Sequence, residues 1–157
     1  MSRPRPLLSR EEALQVARSW LGTPYVLGGR VRQAGCDCAT LLAEYAIACG
    51  FADREDLGLY SQDWFCNASE ERYLYGLIRH APQAAKNMGC AAEHALPGCL
   101  VLFKVVGSRL YNHGGIVTVW PHMIHASSCG VMETNALQNP MTAGREKCIF
   151  DPWERAA

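Results

Sequence analysis

Apolar positions in this chain follow two different periods, and the change falls near Pro97. Behind Ser9-Arg10-Glu11-Glu12, Leu14, Ala17 and Leu21 recur at helical spacing. Ser9 with Glu12 three residues on is a capping box, so the pattern predicts a helix from Ser9 to about Leu21, closed by Gly22 and Pro24. A Gly-rich loop, Tyr25-Val26-Leu27-Gly28-Gly29, and a polar stretch to Gly35 follow. Leu41, Leu42, Tyr45 and Cys49 then form one face of a second helix, starting near Asp37 or Cys38 and ended by Gly50. Ser69 to His80 also reads as helix, with Tyr73, Leu74, Leu77 and Ile78 on one side. The small-residue run from Ala81 to Pro97 reads as loop or short helix.

Beyond Pro97, four segments rich in Val, Ile, Leu and Phe suit strands: Cys99 to Val106, Gly115 to Val119, His122 to Ala126, and Lys147 to Phe150. Helices first and strands later predict an α+β domain, N-terminal helices packed on an antiparallel sheet. No internal repeat or linker interrupts it. The expectation is one domain over residues 1–157, with 1–7 a flexible tail.

Composition narrows the function. The chain has 157 residues, 49% of them apolar and 19% charged, enough for a real core. Basic and acidic residues number 15 each, which excludes the broad positive footprint of a nucleic-acid binder. No apolar stretch follows the basic start, Arg3-Pro4-Arg5-Pro6, so neither a signal peptide nor membrane insertion is expected. Synthesis in the cytoplasm is the expectation, with any export left to a carrier. That setting makes reduced thiols the default for the eight cysteines. Cys49, Cys90, Cys99 and Cys148, each beside apolar residues, read as core.

Three short stretches carry candidate chemistry. Gly35-Cys36-Asp37-Cys38 lies where a flexible loop meets a helix start. A thiol there gains from the helix dipole, which favours the thiolate, and from first-turn N–H groups that can bind an oxyanion. Cys38, leading directly into the helix, is better placed than Cys36, although a buried helix-start cysteine would look the same. His113 stands at a strand start before Gly114-Gly115, with little cover from its neighbours. That suits a general base at a cleft edge, and equally a solvated loop histidine. A hairpin turning near Trp120-Pro121 returns His125 alongside His113. The two are directly opposed if the turn centres on Val119, and a one-residue slip sends them to different faces. Flanked by Ile124 and Ala126, His125 suits a partly buried orienter in a Cys-His-His triad. His80, His94 and His122 lack such settings and read as surface residues.

Taken in order, Gly22-Thr23-Pro24-Tyr25 with Gly28-Gly29, Asp37-Cys38, Pro97-Gly98, His113-x-Gly115-Ile116 and Ile124-His125-Ala126 resemble the NlpC/p60 family of papain-like cell-wall cysteine peptidases. Gly35-Cys36-Asp37-Cys38, Tyr60-Ser61-x-Asp63-Trp64, and Met123-Ile124-His125-Ala126 with Gly130-Val131-Met132-Glu133 resemble its branch in phage and prophage tail modules. The resemblance spans roughly Leu8 to Pro152. It implies Cys38 as nucleophile, His113 as base, His125 as orienter, and Tyr25 as a hydroxyl beside the oxyanion site. It implies that Asp37 helps bind substrate, a peptidoglycan stem peptide cleaved between D-γ-glutamate and a diamino acid through a thioester, with no metal or organic cofactor. Phage tail-tip proteins would be the partners that carry it to the cell wall. Two departures stand out: Ala39-Thr40 follows the nucleophile where Ser-Gly is common, and Gly98-Cys99 replaces Gly-Asp.

Three other readings use the same residues. Cys36, Cys38, His113 and His125 could form a tetrahedral zinc site, although Cys-x-Cys is a poor chelating spacing. A tail-assembly protein could retain the fold without catalysis. An amidase or acyltransferase could share the acyl-enzyme and differ only in the acceptor.

Overall fold

The computed structural model describes residues 7–52, 92–105 and 110–153. The helix expected over Ser69 to His80, the Tyr60 to Trp64 motif and Cys90 lie outside the described residues. The first helix, α1, spans Arg10–Ser19. Its capping box is closed: Ser9 Oγ accepts from Glu12 N at 3.1 Å, and Ser9 N donates to Glu12 Oε2 at 2.8 Å. Trp20 caps the far end, so the helix stops just short of Leu21. Within the stretch read as loop, β1 (Arg30–Val31) pairs antiparallel with β2 (Gly35–Cys36).

Helix α2 spans Cys38–Cys49, with Asp37 as N-cap and Gly50 as C-cap. Gly50 adopts φ of 91°, a left-handed conformation that favours glycine at a helix end. Leu41, Leu42, Tyr45, Ala46, Ile47 and Cys49 are all buried, so α2 is the central helix and α1 packs beside it. Past a 3-10 turn at Ala92–His94 come β3 (Leu100–Phe103), β4 (His113–Val117), β5 (His122–Ser127), β6 (Gly130–Asn135) and β7 (Lys147–Phe150). They form one antiparallel sheet in the order β6-β5-β4-β3-β7. This is the expected α+β arrangement, with two corrections. Strand β4 starts at His113, two residues before the predicted Gly115, which puts the histidine inside the ladder. Strand β6 was not expected: Met132 and Glu133 are exposed at the sheet edge, so its sequence lacks the apolar alternation of a half-buried strand.

The sheet buries both faces. Leu100, Leu102, Ile116, Ile124, Ala126 and Phe150 join the helices in one apolar cluster. Val101, Phe103, Val117, Met123 and Ile149 form a second on the opposite face. Cys49 and Cys99 are buried in these clusters, and burial pushes both thiols up to about 12. Cys148 is half-buried.

Two contacts set the distance between α2 and the sheet. A Cβ on Gly114 would stand 2.6 Å from Leu42 Cδ1 and 2.9 Å from Leu102 Cδ2, so the missing side chain is what lets α2 lie against β4. One turn further along α2, Tyr45 donates from its hydroxyl to the Gly98 carbonyl at 2.7 Å. At the chain ends, Arg10 clasps Asp151 through both carboxylate oxygens, at 2.8 and 2.6 Å.

Overpacking a close helix–sheet contact costs about 1–3 kcal/mol. Gly114→Ala is expected to lose that much unfolding free energy in urea melts. Tyr45→Phe, which removes a single buried hydrogen bond, is expected to lose about 1 kcal/mol. A Gly114→Ala protein as stable as wild type would show that the approach is looser than described.

Candidate functional site

The site forms where the start of α2 meets the start of β4. Asp37 builds the first half. Its Oδ1 accepts from the backbone N–H groups of Ala39 and Thr40, each at 2.9 Å, capping the helix. Its Oδ2 accepts from Gly28 N at 2.7 Å. Asp37 N in turn donates to Thr40 Oγ1 at 2.8 Å, completing a capping box with Thr at the third helical position. Cys38 is the first residue of α2 and is partly exposed. Cys36, two residues earlier, is fully buried, and burial together with the neighbouring Asp37 carboxylate pushes its thiol up to about 11. Of the two thiols, only Cys38 has both a helix N-terminus and access to solvent.

The second half comes from the sheet. Cys38 Sγ lies 4.0 Å from the carbonyl oxygen of Asn112, the residue just before His113. The thiol at the start of α2 thus lies against the residue that adjoins His113 at the start of β4. His113 and His125 meet directly: Nε2 of His113 is 2.8 Å from Nδ1 of His125, with the rings nearly perpendicular at 84°. The register, which the sequence alone leaves open, is neither the directly opposed pairing nor a one-residue slip from it. Strand β4 pairs Ile116 with Ile124 and Val117 with Met123. Carried along the ladder, that sets His125 against Gly115, so the histidines are offset diagonally by two residues. A two-residue offset keeps both on one face, and diagonal neighbours remain within reach of long or aromatic side chains.

Both imidazoles are buried, His113 at 4% exposure and His125 at 0%, and that decides their charge. Desolvation holds each well below the usual imidazole value, and for His113 the neighbouring His125 adds to the effect. Two neutral rings therefore share the contact. When His113 donates from Nε2, its Nδ1 keeps a lone pair, the form a general base requires. His125 Nε2 is buried with no hydrogen-bond partner among the described residues.

Tyr25 is tied into the same region through its backbone. It bridges Cys36, while Val26 N donates to the Cys36 carbonyl at 2.9 Å and Cys36 N to the Pro24 carbonyl at 3.1 Å. Its side chain packs against the cluster around α2. Asp37 has structural contacts that the sequence reading did not assign to it. The residue is 1% exposed, and its carboxylate accepts three backbone N–H groups that tie the helix cap to the glycine turn. The signal was present in the sequence as an Asp before a helix with Thr three residues on. The first-turn donors also differ from expectation, because Ala39 and Thr40 point theirs at Asp37.

Among the described residues, no group of three or more His, Cys, Asp and Glu is placed to hold a metal ion. The zinc arrangement of Cys36, Cys38, His113 and His125 therefore has no geometric support. No described helix is long and apolar enough to cross a membrane. His94 and His122 are exposed, as expected for surface residues, while His80 lies outside the described residues.

No family model and no curated protein matches the sequence. Solved structures do match the fold. The NlpC/p60 domain of the peptidoglycan hydrolase SagA superposes with a TM-score of 0.57 at 17% identity, covering 90% of this chain and 98% of that one. An NlpC/p60 family protein from Bacillus cereus gives 0.61 at 17% identity, covering 91% of this chain and 40% of that one. NlpC1 from Trichomonas vaginalis gives 0.59 at 17% identity, covering 96% and 47%. The chain thus spans under half of the latter two. These likenesses establish an α+β, papain-like fold of the NlpC/p60 kind.

The buried histidines make stability depend on pH. Their folded-state values lie below the unfolded value of about 6.5, so the unfolded chain takes up protons first as pH falls. Stability is full above about pH 6.5 and declines below it, by about 1–3 kcal/mol per pH unit for one to two protons. Urea melts at pH 7, 6 and 5 are expected to show that decline, flattened in His113→Gln/His125→Gln. A wild-type profile level from pH 7 to 5 would contradict the buried neutral pair.

Proposed function

We infer that the protein is a cysteine peptidase of the cell wall, hydrolysing a peptide bond in peptidoglycan stem peptides through a thioester. The observation that carries this reading is the pairing of His113 Nε2 with His125 Nδ1 at 2.8 Å, one residue from the carbonyl that Cys38 Sγ approaches. A purely structural domain has no use for two buried neutral imidazoles beside a half-exposed helix-start thiol. The NlpC/p60 fold, shared with a peptidoglycan hydrolase, supports the substrate class.

In this mechanism His113 Nδ1 takes the Cys38 proton as the sulfur attacks the carbonyl carbon of the scissile bond. His125 accepts the Nε2–H bond and so holds the imidazolium that forms. The oxyanion is stabilised at the head of α2, where the Cys38 N–H and the Tyr25 hydroxyl are the donors, since Ala39 and Thr40 serve Asp37. Collapse breaks the C–N bond, and the amine leaves with the proton from His113. The Cys38 thioester is then cleaved by a water that His113 deprotonates, which restores the thiol. No metal or cofactor takes part. The D-γ-glutamyl–diamino acid bond is the proposed target, and carriage by a phage or prophage tail the proposed route; both rest on the sequence resemblance.

Defined peptidoglycan fragments, incubated with wild type and Cys38→Ala and read by mass spectrometry, test the proposal. Wild type is expected to release a fragment cut within the stem peptide, and to carry an acyl mass on Cys38 when quenched in acid. Cys38→Ala should lose at least about 10³-fold in rate and His125→Ala about 10²–10⁴-fold. Binding without cleavage by wild type would favour the non-catalytic reading, and transfer of the acyl group to an added amine would favour the acyltransferase.

A further inference from the structure

We propose that Asp37 is a positioning residue: its carboxylate clasps the Tyr25–Gly29 turn onto the head of α2 and thereby holds that turn in register with Cys38. The inference deepens the peptidase reading and, for its effect on turnover, rests on it. The carboxylate joins two separate pieces of chain. Oδ1 serves α2 through Ala39 N and Thr40 N, and Oδ2 serves the turn through Gly28 N. The turn can receive this contact because of its own shape. Gly29 N donates to the Val26 carbonyl at 2.9 Å, and Gly28 has φ of 74°. A Cβ at Gly29 would stand 2.7 Å from the Gly35 carbonyl oxygen, so the turn lies flat against the strand that leads into Asp37.

The consequence is geometric. Tyr25 and Val26 are bonded by backbone to Cys36 on one side, and Gly28 is bonded to Asp37 on the other. The turn is thereby fixed at both ends beside the nucleophile. Val26 and Leu27 at its tip remain 46% and 40% exposed. A carboxylate suits this task because it has no hydrogen to donate and can accept from both partners. Asparagine is nearly the same shape and can still cap the helix through Oδ1. Its amide, however, would meet the Gly28 N–H donor to donor.

Asp37→Asn separates the clasp from the cap. The expected result has three parts. Amide hydrogen exchange at Gly28 rises at least about tenfold, while exchange within α2 is unchanged. Alkylation of Cys38 by iodoacetamide stays within about twofold of wild type. Turnover of peptidoglycan fragments falls at least about tenfold, mainly in kcat. Unchanged exchange at Gly28 would overturn the proposal, as would faster exchange with unaltered kcat. A rise in KM alone would return Asp37 to the substrate and equally overturn it. If wild type cleaves no fragment, the peptidase reading fails by itself, and the exchange measurement still decides the clasp.

Discussion

Helix α2 lies against β4 only because position 114 has no side chain. Leu42 occupies the space where a Cβ would be, and Cys38 sits one helical turn before Leu42. The close approach therefore does more than fill the core: it sets where the first residue of the helix falls relative to the first residue of the strand. His113 opens β4, and the Asn112 carbonyl before it lies against Cys38 Sγ. The Tyr45 bond to Gly98 fixes the same helix further along its length, so α2 is tied to the sheet at two points. The site depends on this docking more than on any single group in it.

Burial is the second constraint, and it acts on charge. Dry surroundings keep both histidines neutral, which leaves His113 free to take a proton. The same surroundings make the imidazolium costly unless it faces a partner, and the thiolate that forms with it is that partner. Cys36 shows the opposite outcome. It is only two residues from Cys38, yet it is fully enclosed beside a carboxylate, and its thiol is held protonated. Chemistry at this junction is separated by solvent access and helix position, since the two side chains are identical.

Much of this was legible in the sequence, for reasons that differ by element. Both helices have strong local signals: the Ser9–Glu12 box, and the apolar face that ends at Gly50. The α+β class followed from the change of period at Pro97. Local pattern could not supply the hairpin register, because His113 and His125 share a face under either of two pairings that differ by two residues. It missed β6, whose edge position leaves Met132 and Glu133 exposed and so removes the alternation that identifies a strand. It also gave Asp37 no structural duty, since a resemblance transfers a residue's role without its surroundings. Only the contact with Gly28, nine residues earlier, shows where that carboxylate is engaged.

Because the account rests on one sulfur being activated by one imidazole, alkylation kinetics test it most directly. Each cysteine of the folded protein can be followed by mass spectrometry during iodoacetamide treatment across a range of pH. Cys38 is expected to react first, at a rate already high below pH ~8.5, the free thiol value, and to slow markedly in His113→Ala. Faster labelling at the exposed Cys129, or a Cys38 rate untouched by loss of His113, would contradict it.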